Sequence, residues 1–109
     1  GVAYTPARKL LDAGASLAIA SDWNPGSAPM GDLLIQASIL GTFEKLSNAE
    51  VLAGITYRAA AALGIKNRGT LEIGKLADII LFPTDDYKEI TYQQGRLKPT
   101  IIIKNGVRV

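Results

Sequence analysis

The sequence of 109 residues predicts an α/β fold that forms the carboxyl-terminal portion of a larger protein. The first forty residues are predicted to form a helix, a strand, a loop and a second helix, which is the order of elements in α/β repeats. The strand, Ser16–Ser21, is nearly all apolar without alternation, as in sheets covered on both faces. We place a domain boundary near Lys66, between residues 1–65 and a small β unit at residues 66–109. A β unit of this size buries little apolar surface of its own. We therefore expect the strand to be the last of a barrel, and the β unit to complete a sheet begun elsewhere.

Two helices flank this strand. Thr5-Pro6 predicts the start of the first helix, because Thr can cap and Pro suits the first helical position. Gly14 supplies a left-handed stop. Apolar residues at helical spacing predict the second helix over Met30–Leu40.

The strand stops at one carboxylate, Asp22, and the chain then turns. Asn24–Ser27 predicts a type II turn, with Pro at the second position and Gly at the third. A buried strand that delivers an acid to its carboxyl end, followed by exposed donors, is how α/β enzymes build active sites. The alternative is a strand and a tight loop without chemistry, since such turns are common.

A capping box at Ser47–Glu50 predicts a third helix from Asn48. A further helical stretch is predicted over Tyr57–Leu63, ending at Gly64. The run of small residues within it is expected to pack closely on a neighbour.

Strands dominate the remaining residues. Ile79–Phe82 is a continuous apolar strand, and Thr100–Lys104 and Val107–Val109 are predicted to pair through Asn105-Gly106, a strong hairpin signal. Tyr87–Gln94 is ambiguous between an irregular excursion and a short strand.

Composition excludes several classes of function. The chain is 48% hydrophobic and 20% charged, as in globular domains. Its net charge of +2 is not clustered, which argues against a nucleic-acid partner. No apolar run approaches the roughly 20 residues of a membrane span, no secretory signal pattern appears, and the absence of cysteine suits a cytoplasmic protein. The chain also contains no histidine, so any catalytic role needs metal ligands or bases from outside these residues.

Two stretches together resemble a known family. Ala20–Ser27 is similar to the segment after the last barrel strand of imidazolonepropionases, the histidine-degrading members of the metal-dependent amidohydrolases. Gly69–Ile80 resembles the signature that opens the terminal β-sandwich throughout that superfamily, and Ile103–Val109 resembles its closing hairpin. The resemblance implies the last β/α units of a TIM-type (β/α)8 barrel, followed by part of a sandwich made from both chain termini.

The resemblance also implies a site. Asp22 would ligate a single zinc or iron ion and take a proton from the attacking water, since a carboxylate can do both. Asn24, Gly26 and Ser27 match substrate-contacting positions: Asn24 offers an amide, and the other two offer N–H groups and a hydroxyl for the propionate. The implied reaction is hydrolysis of 4-imidazolone-5-propanoate to N-formimino-L-glutamate, in a cytoplasmic enzyme of a superfamily in which homodimers are frequent.

The chain departs from that family's pattern in two respects. The family's histidine ligands, and the arginine and tyrosine that help hold its substrate, are expected upstream, so we predict that this chain alone is inactive and binds metal weakly. Trp23 stands where another aromatic is often found, and we expect it to pack; Arg58 stands where the superfamily frequently has Asn. Two alternatives stay open: another cyclic-amide hydrolase or aminohydrolase of the superfamily, and a non-catalytic structural or interaction module.

Overall fold

The computed structural model describes residues 3–109, which form five helices and three strands. The helices are α1 (Ala7–Asp12), α2 (Leu33–Phe43), α3 (Asn48–Ile55), α4 (Tyr57–Ala62) and α5 (Glu89–Tyr92), and the strands are β1 (Ile79–Leu81), β2 (Ile101–Lys104) and β3 (Val107–Arg108). The strands form one antiparallel sheet in the order β1-β2-β3. Among residues 3–109, no helix combines the length and the hydrophobicity that a membrane crossing requires.

A small hydrophobic core lies where α2 and α3 meet the extended segment before the site loop. Its buried members are Ile19, Ala37 and Val51. Two glycines bring these elements close together: a Cβ on Gly41 would lie 2.6 Å from Val51 Cγ2, and one on Gly54 would lie 2.8 Å from Ile19 Cδ1. The backbones of α2 and α3 therefore approach the core side chains closely at these two glycines.

The predicted strand Ser16–Ser21 is extended but pairs with no strand among residues 3–109, so its place in a sheet stays a prediction. One backbone hydrogen bond ties it to α3, from Ile19 N to Gly54 O at 2.9 Å. Ile19 is buried, whereas Ala18 and Ala20 are exposed. A strand needs a neighbour to complete its ladder, and the described residues place none beside it.

The starts of α1 and α2 differ from the predictions. Thr5 does not cap α1 through its side chain; its carbonyl instead accepts from Ala7 N at 2.7 Å. The second helix begins at Leu33 rather than Met30, because the Asp32 side chain accepts a hydrogen bond from Ile35 N at 3.1 Å. This bond, and then a contact with the ammonium of Lys98, lower the pKa of Asp32.

The capping box of α3 is confirmed. Ser47 Oγ accepts from Glu50 N at 3.2 Å, while Glu50 Oε2 accepts from Ser47 N at 2.8 Å. Thr56 breaks the helix with φ −121° and ψ −104°, so α4 starts at Tyr57 and stops before Gly64, whose φ is +69°.

Replacing the cap residue tests the capping box. We expect Ser47→Ala to lower the free energy of unfolding by about 1 kcal/mol. The Glu50 N–H loses its acceptor, and the Glu50 carboxylate loses the hydrogen bond from the Ser47 hydroxyl. Urea unfolding followed by circular dichroism measures the loss, with Ser16→Ala, at an exposed serine outside any helix, as the control. Equal stability of the two variants would show that the box contributes nothing.

The hairpin prediction is also confirmed. Asn105 and Gly106 both have positive φ, +52° and +79°, as a two-residue type I′ turn requires. Ile80 of β1 lies opposite Ile102 of β2, and Val109 N donates to Ile102 O at 3.0 Å. Ile80 and Ile102 are each about half exposed, so one apolar face of the sheet is left uncovered by the described residues.

Residues 87–94 contain a helix, α5, which corrects the expectation of an irregular stretch or a strand. This helix packs against α2, and Thr91 Oγ1 donates to Asn48 Oδ1 at 2.7 Å. Gly95 lies three residues after α5 and has φ +81°. A Cβ added to Gly95 would overlap the side chain of Ile35. The β-rich section thus contacts the helical section here, and the domain boundary near Lys66 stays a prediction.

Asp78 joins the loop before β1 to the hairpin. Its Oδ2 lies 2.6 Å from Lys104 Nζ and 2.9 Å from Arg68 Nη1, and its Oδ1 accepts from Asn105 N at 2.9 Å. The Lys104 ammonium, and then the Asn105 N–H, hold the pKa of Asp78 below its usual value of 3.8.

Acid titration tests this carboxylate. A lowered pKa means that Asp78 stabilises the fold above its unfolded pKa of about 3.9, and that this contribution is lost as pH falls through the folded pKa. We expect Asp78→Asn to be less stable than the parent at about pH 7, with the difference shrinking below about pH 4. Urea midpoints across this range measure it, and Asp85→Asn, at an exposed loop carboxylate, is the control. A difference that stays constant with pH would contradict the expectation.

Candidate functional site

Asp22 lies at the end of the extended segment, where the chain enters the loop. It is exposed, and its φ of +53° is in the left-handed region. Among residues 3–109, its carboxylate has no hydrogen-bond or ion-pair partner. The carboxylate is therefore free to bind a cation or to accept a proton.

The loop that follows is organised around the side chain of Asn24. Asn24 Oδ1 accepts from Gly26 N at 3.1 Å, from Ser27 N at 2.8 Å and from Ser27 Oγ at 3.1 Å. Asn24 Nδ2 donates to Asp22 O at 2.8 Å. Backbone bonds between Asn24 and Ala28, of 3.1 and 3.2 Å, close the loop.

This loop is not the type II turn that the sequence predicts. Such a turn needs a φ near +80° at its third residue, but Gly26 is not among the glycines with positive φ. The Ser27 N–H bonds to the side-chain oxygen of Asn24 instead of the backbone oxygen. Asn side chains compete with the backbone for nearby N–H groups in this way, which explains the difference.

Trp23 closes the outer side of the loop. Its Nε1 donates to Pro29 O at 3.1 Å, and a Cβ on Gly31 would lie 2.9 Å from Trp23 Cδ1. Gly31 has a φ of +66°, so both its conformation and the indole favour glycine here. The indole is nevertheless 67% exposed, so it packs on one side only.

The structure thus brings all four predicted site residues into one short loop. It also places the donors predicted for a carboxylate, namely the N–H groups of Gly26 and Ser27 and the Ser27 hydroxyl, around a single point. Asn24 Oδ1 occupies that point. A substrate carboxylate that used these donors would have to replace this oxygen.

A metal ion finds one donor in this loop. Across the described part of the chain, no three side chains of the His, Cys, Asp or Glu type come together to hold an ion. Asp22 fits as a single oxygen ligand, since carboxylate oxygen binds zinc and iron and this one is exposed and unpaired. The other ligands would have to come from outside this chain.

Two features of the site escape the sequence argument. The left-handed backbone of Asp22 and its bond from Asn24 are visible only in the structure, although Asp is a residue that tolerates this conformation.

A cavity of about 370 Å³ lies outside the site loop, between α2, α3 and α5, with Ser38, Asn48 and Thr91 in its wall. Its lining contains none of the predicted site residues.

Comparison with known sequences finds a matching family and several similar proteins. The sequence model of the Amidohydrolase family matches residues 2–109. An imidazolonepropionase of Rhizobium meliloti is 42% identical over 91 residues, which are 83% of this chain and 22% of that protein. One of Paracoccus denitrificans is 40% identical over 92 residues, 84% of this chain and 23% of that protein. One of a Polaromonas species is 37% identical over 102 residues, 93% of this chain and 24% of that protein. The chain therefore spans about a quarter of the length of these curated relatives.

Proposed function

This chain belongs to the amidohydrolase family, and we propose that it is the carboxyl-terminal part of an imidazolonepropionase. The complete enzyme would hydrolyse 4-imidazolone-5-propanoate to N-formimino-L-glutamate in histidine degradation. The observation that carries the proposal is the identity of 36–42% to imidazolonepropionases over most of the chain. A cytoplasmic location and a homodimer are further predictions for the complete enzyme.

We further propose that Ser16–Ser21 is the last strand of a (β/α)8 barrel. Support comes from its backbone, which makes only the bond from Ile19 N to Gly54 O among residues 3–109, and from the exposed Ala18 and Ala20. Side chains alternate along a strand, so these alanines would line the side opposite to buried Ile19. The sheet of residues 79–108 would be part of a composite sandwich, which its uncovered apolar face supports.

In the proposed mechanism Asp22 has two roles. It would supply one oxygen ligand to a zinc or iron ion, and it would accept a proton from the attacking water. The ion, when bound, would lower the pKa of water to about 7 and polarise the ring carbonyl. The water oxygen bonds to the carbonyl carbon, the ring C–N bond breaks, and the ring nitrogen takes the proton that Asp22 removed. Support for both roles is that this carboxylate is exposed and has no partner among residues 3–109.

Asn24, Gly26 and Ser27 are proposed to contact the substrate. Two N–H groups and one hydroxyl converge at hydrogen-bond distance on a single oxygen, which is the arrangement that a carboxylate oxygen needs. The propionate would take this position once Asn24 Oδ1 has moved out of it.

A substrate comparison tests the function. The complete enzyme, loaded with zinc or iron, should hydrolyse 4-imidazolone-5-propanoate far faster than dihydroorotate, hydantoin or an aminated purine. Preference for one of the other rings would identify a different amidohydrolase. No hydrolysis of any of them, in a folded protein with bound metal, would favour a non-catalytic module.

A further inference from the structure

Arg58 carries a charge that the described part of the chain does not balance. It is the second residue of α4, and its side chain is half-buried. Its Nε donates to Tyr57 Oη at 3.2 Å, and its Cζ lies 5.7 Å from the centre of the Tyr57 ring. Neither contact brings a negative charge. Among residues 3–109, no carboxylate forms an ion pair with this guanidinium.

The far end of the guanidinium also lacks a hydrogen-bond acceptor. Nη1 is covered by neighbouring atoms and makes no hydrogen bond with the residues that the structure describes. A covered N–H without an acceptor is rare in native proteins, because it has lost its bonds to water and gained none in return. Arginine cannot lose its proton to avoid this cost. The acceptor is therefore expected from outside residues 3–109.

One face of α4 gives such an acceptor access to Arg58. With 3.6 residues per turn, Ala61 and Ala62 lie on the same face of the helix as Arg58, and both are exposed. Ala60 lies about 200° around the helix from Arg58 and is buried. A Cβ on Gly69 would lie 2.9 Å from Ala60 Cβ, so the chain after α4 covers the Ala60 side. The face formed by Arg58, Ala61 and Ala62 is left open.

We propose that this face of α4 binds a segment of the complete enzyme outside residues 1–109, and that an Asp or Glu of that segment pairs with Arg58. The proposal rests on the function proposed above, because the chain spans about a quarter of the length of its relatives. A carboxylate suits the guanidinium better than a neutral acceptor does. It matches the charge, and its two oxygens can bond to Nη1 and Nη2 together once the guanidinium turns toward the open side.

Carbodiimide cross-linking of the complete enzyme with Arg58→Lys identifies the partner. The reagent activates a carboxylate, and an amine in contact with it forms an amide, whereas a guanidinium does not react. The variant should give a cross-link from position 58 to an Asp or Glu outside residues 1–109, mapped by mass spectrometry of peptides, and the parent should lack it. Arg96→Lys, at an exposed arginine without an ion pair among the described residues, is the matched control and should give no such cross-link.

Urea unfolding of the complete enzyme gives a second measurement. Arg58→Met should lower the unfolding midpoint, because the partner carboxylate is then left without its cation. Arg58→Lys keeps the charge and should retain most of the parent's midpoint. Arg96→Met removes an exposed charge and should leave the midpoint unchanged.

Other outcomes overturn the proposal, and they are distinct from failure of the proposed function. A midpoint that stays or rises in Arg58→Met, with no cross-link in Arg58→Lys, would show that Arg58 has no partner, even in an enzyme that hydrolyses the imidazolone. A cross-link within residues 1–109, or one that joins two copies and doubles the mass on a gel, would assign Arg58 to another contact. An enzyme that forms the expected cross-link but does not hydrolyse the imidazolone would keep this pairing and lose the proposed substrate.

Discussion

Asp22→Asn in the complete enzyme is expected to reduce kcat by about 10³-fold, because the amide cannot accept the proton from water and is a poor metal ligand. Asn is close in size and also tolerates the left-handed backbone that Asp22 adopts, so the loop should keep its form. Steady-state kinetics with 4-imidazolone-5-propanoate, and metal content by mass spectrometry, measure the effect.

The control for Asp22 is the exposed loop residue Asp85. Asp85→Asn removes the same charge and should leave kcat and metal content unchanged. Unfolding midpoints of both variants, measured after metal removal, should match the parent, because the Asp22 carboxylate has no partner among the described residues. An Asp22→Asn enzyme that keeps more than about a tenth of the parent's kcat would exclude the catalytic role.

Gly95→Ala is expected to destabilise the fold strongly, although it adds only one methyl group. Gly95 has φ +81°, and a Cβ there would overlap Ile35 Cγ1 and lie 2.9 Å from Ile35 Cδ1. A left-handed alanine costs about 1–2 kcal/mol and overpacking about 1–3 kcal/mol, so the expected loss is about 2–5 kcal/mol. Urea unfolding of the variant measures it.

Gly14 offers a matched control for the backbone alone. Its φ of +84° is nearly the same, but no atom lies within 4 Å of an added Cβ. Gly14→Ala should therefore cost only about 1–2 kcal/mol. Ile35→Ala, which removes Cγ1 and Cδ1, should therefore cost less in the Gly95→Ala background than in the parent. Equal losses at Gly95 and Gly14, with the same cost of Ile35→Ala in both backgrounds, would show that the contact carries no energy.

Local signals in the sequence predict local structure well here. Ser47 and Glu50 form their capping box, and Asn105-Gly106 forms its hairpin turn, because each depends on residues that are neighbours in sequence. The short helix α5 is missed for the opposite reason. Four residues carry little helical pattern, and contact with α2 determines their conformation.

The geometry of the site loop does not follow from the sequence, and the roles of its residues stay predictions. The sequence places Asp22 after an apolar run and puts three donors beyond it, and the structure brings all of them into one loop. The sequence does not predict that the Ser27 N–H bonds to the side-chain oxygen of Asn24 and not to its backbone oxygen. Both acceptors are within reach of that N–H, so local sequence does not decide between them. The extended run before Asp22 reads as a strand because its composition suits one, but pairing depends on chain segments beyond residues 3–109.

The uncovered sheet face has a practical consequence for handling this polypeptide. Ile80 and Ile102 lie opposite each other and half exposed, and the two outer strands each leave one edge unpaired in the described sheet. Open edges beside isoleucines favour the addition of strands from other molecules, which is a route to aggregation. A truncated form of the enzyme that ends at this sheet, without the segments proposed to cover it, should accumulate in inclusion bodies. Coexpression with those segments should restore it to the supernatant.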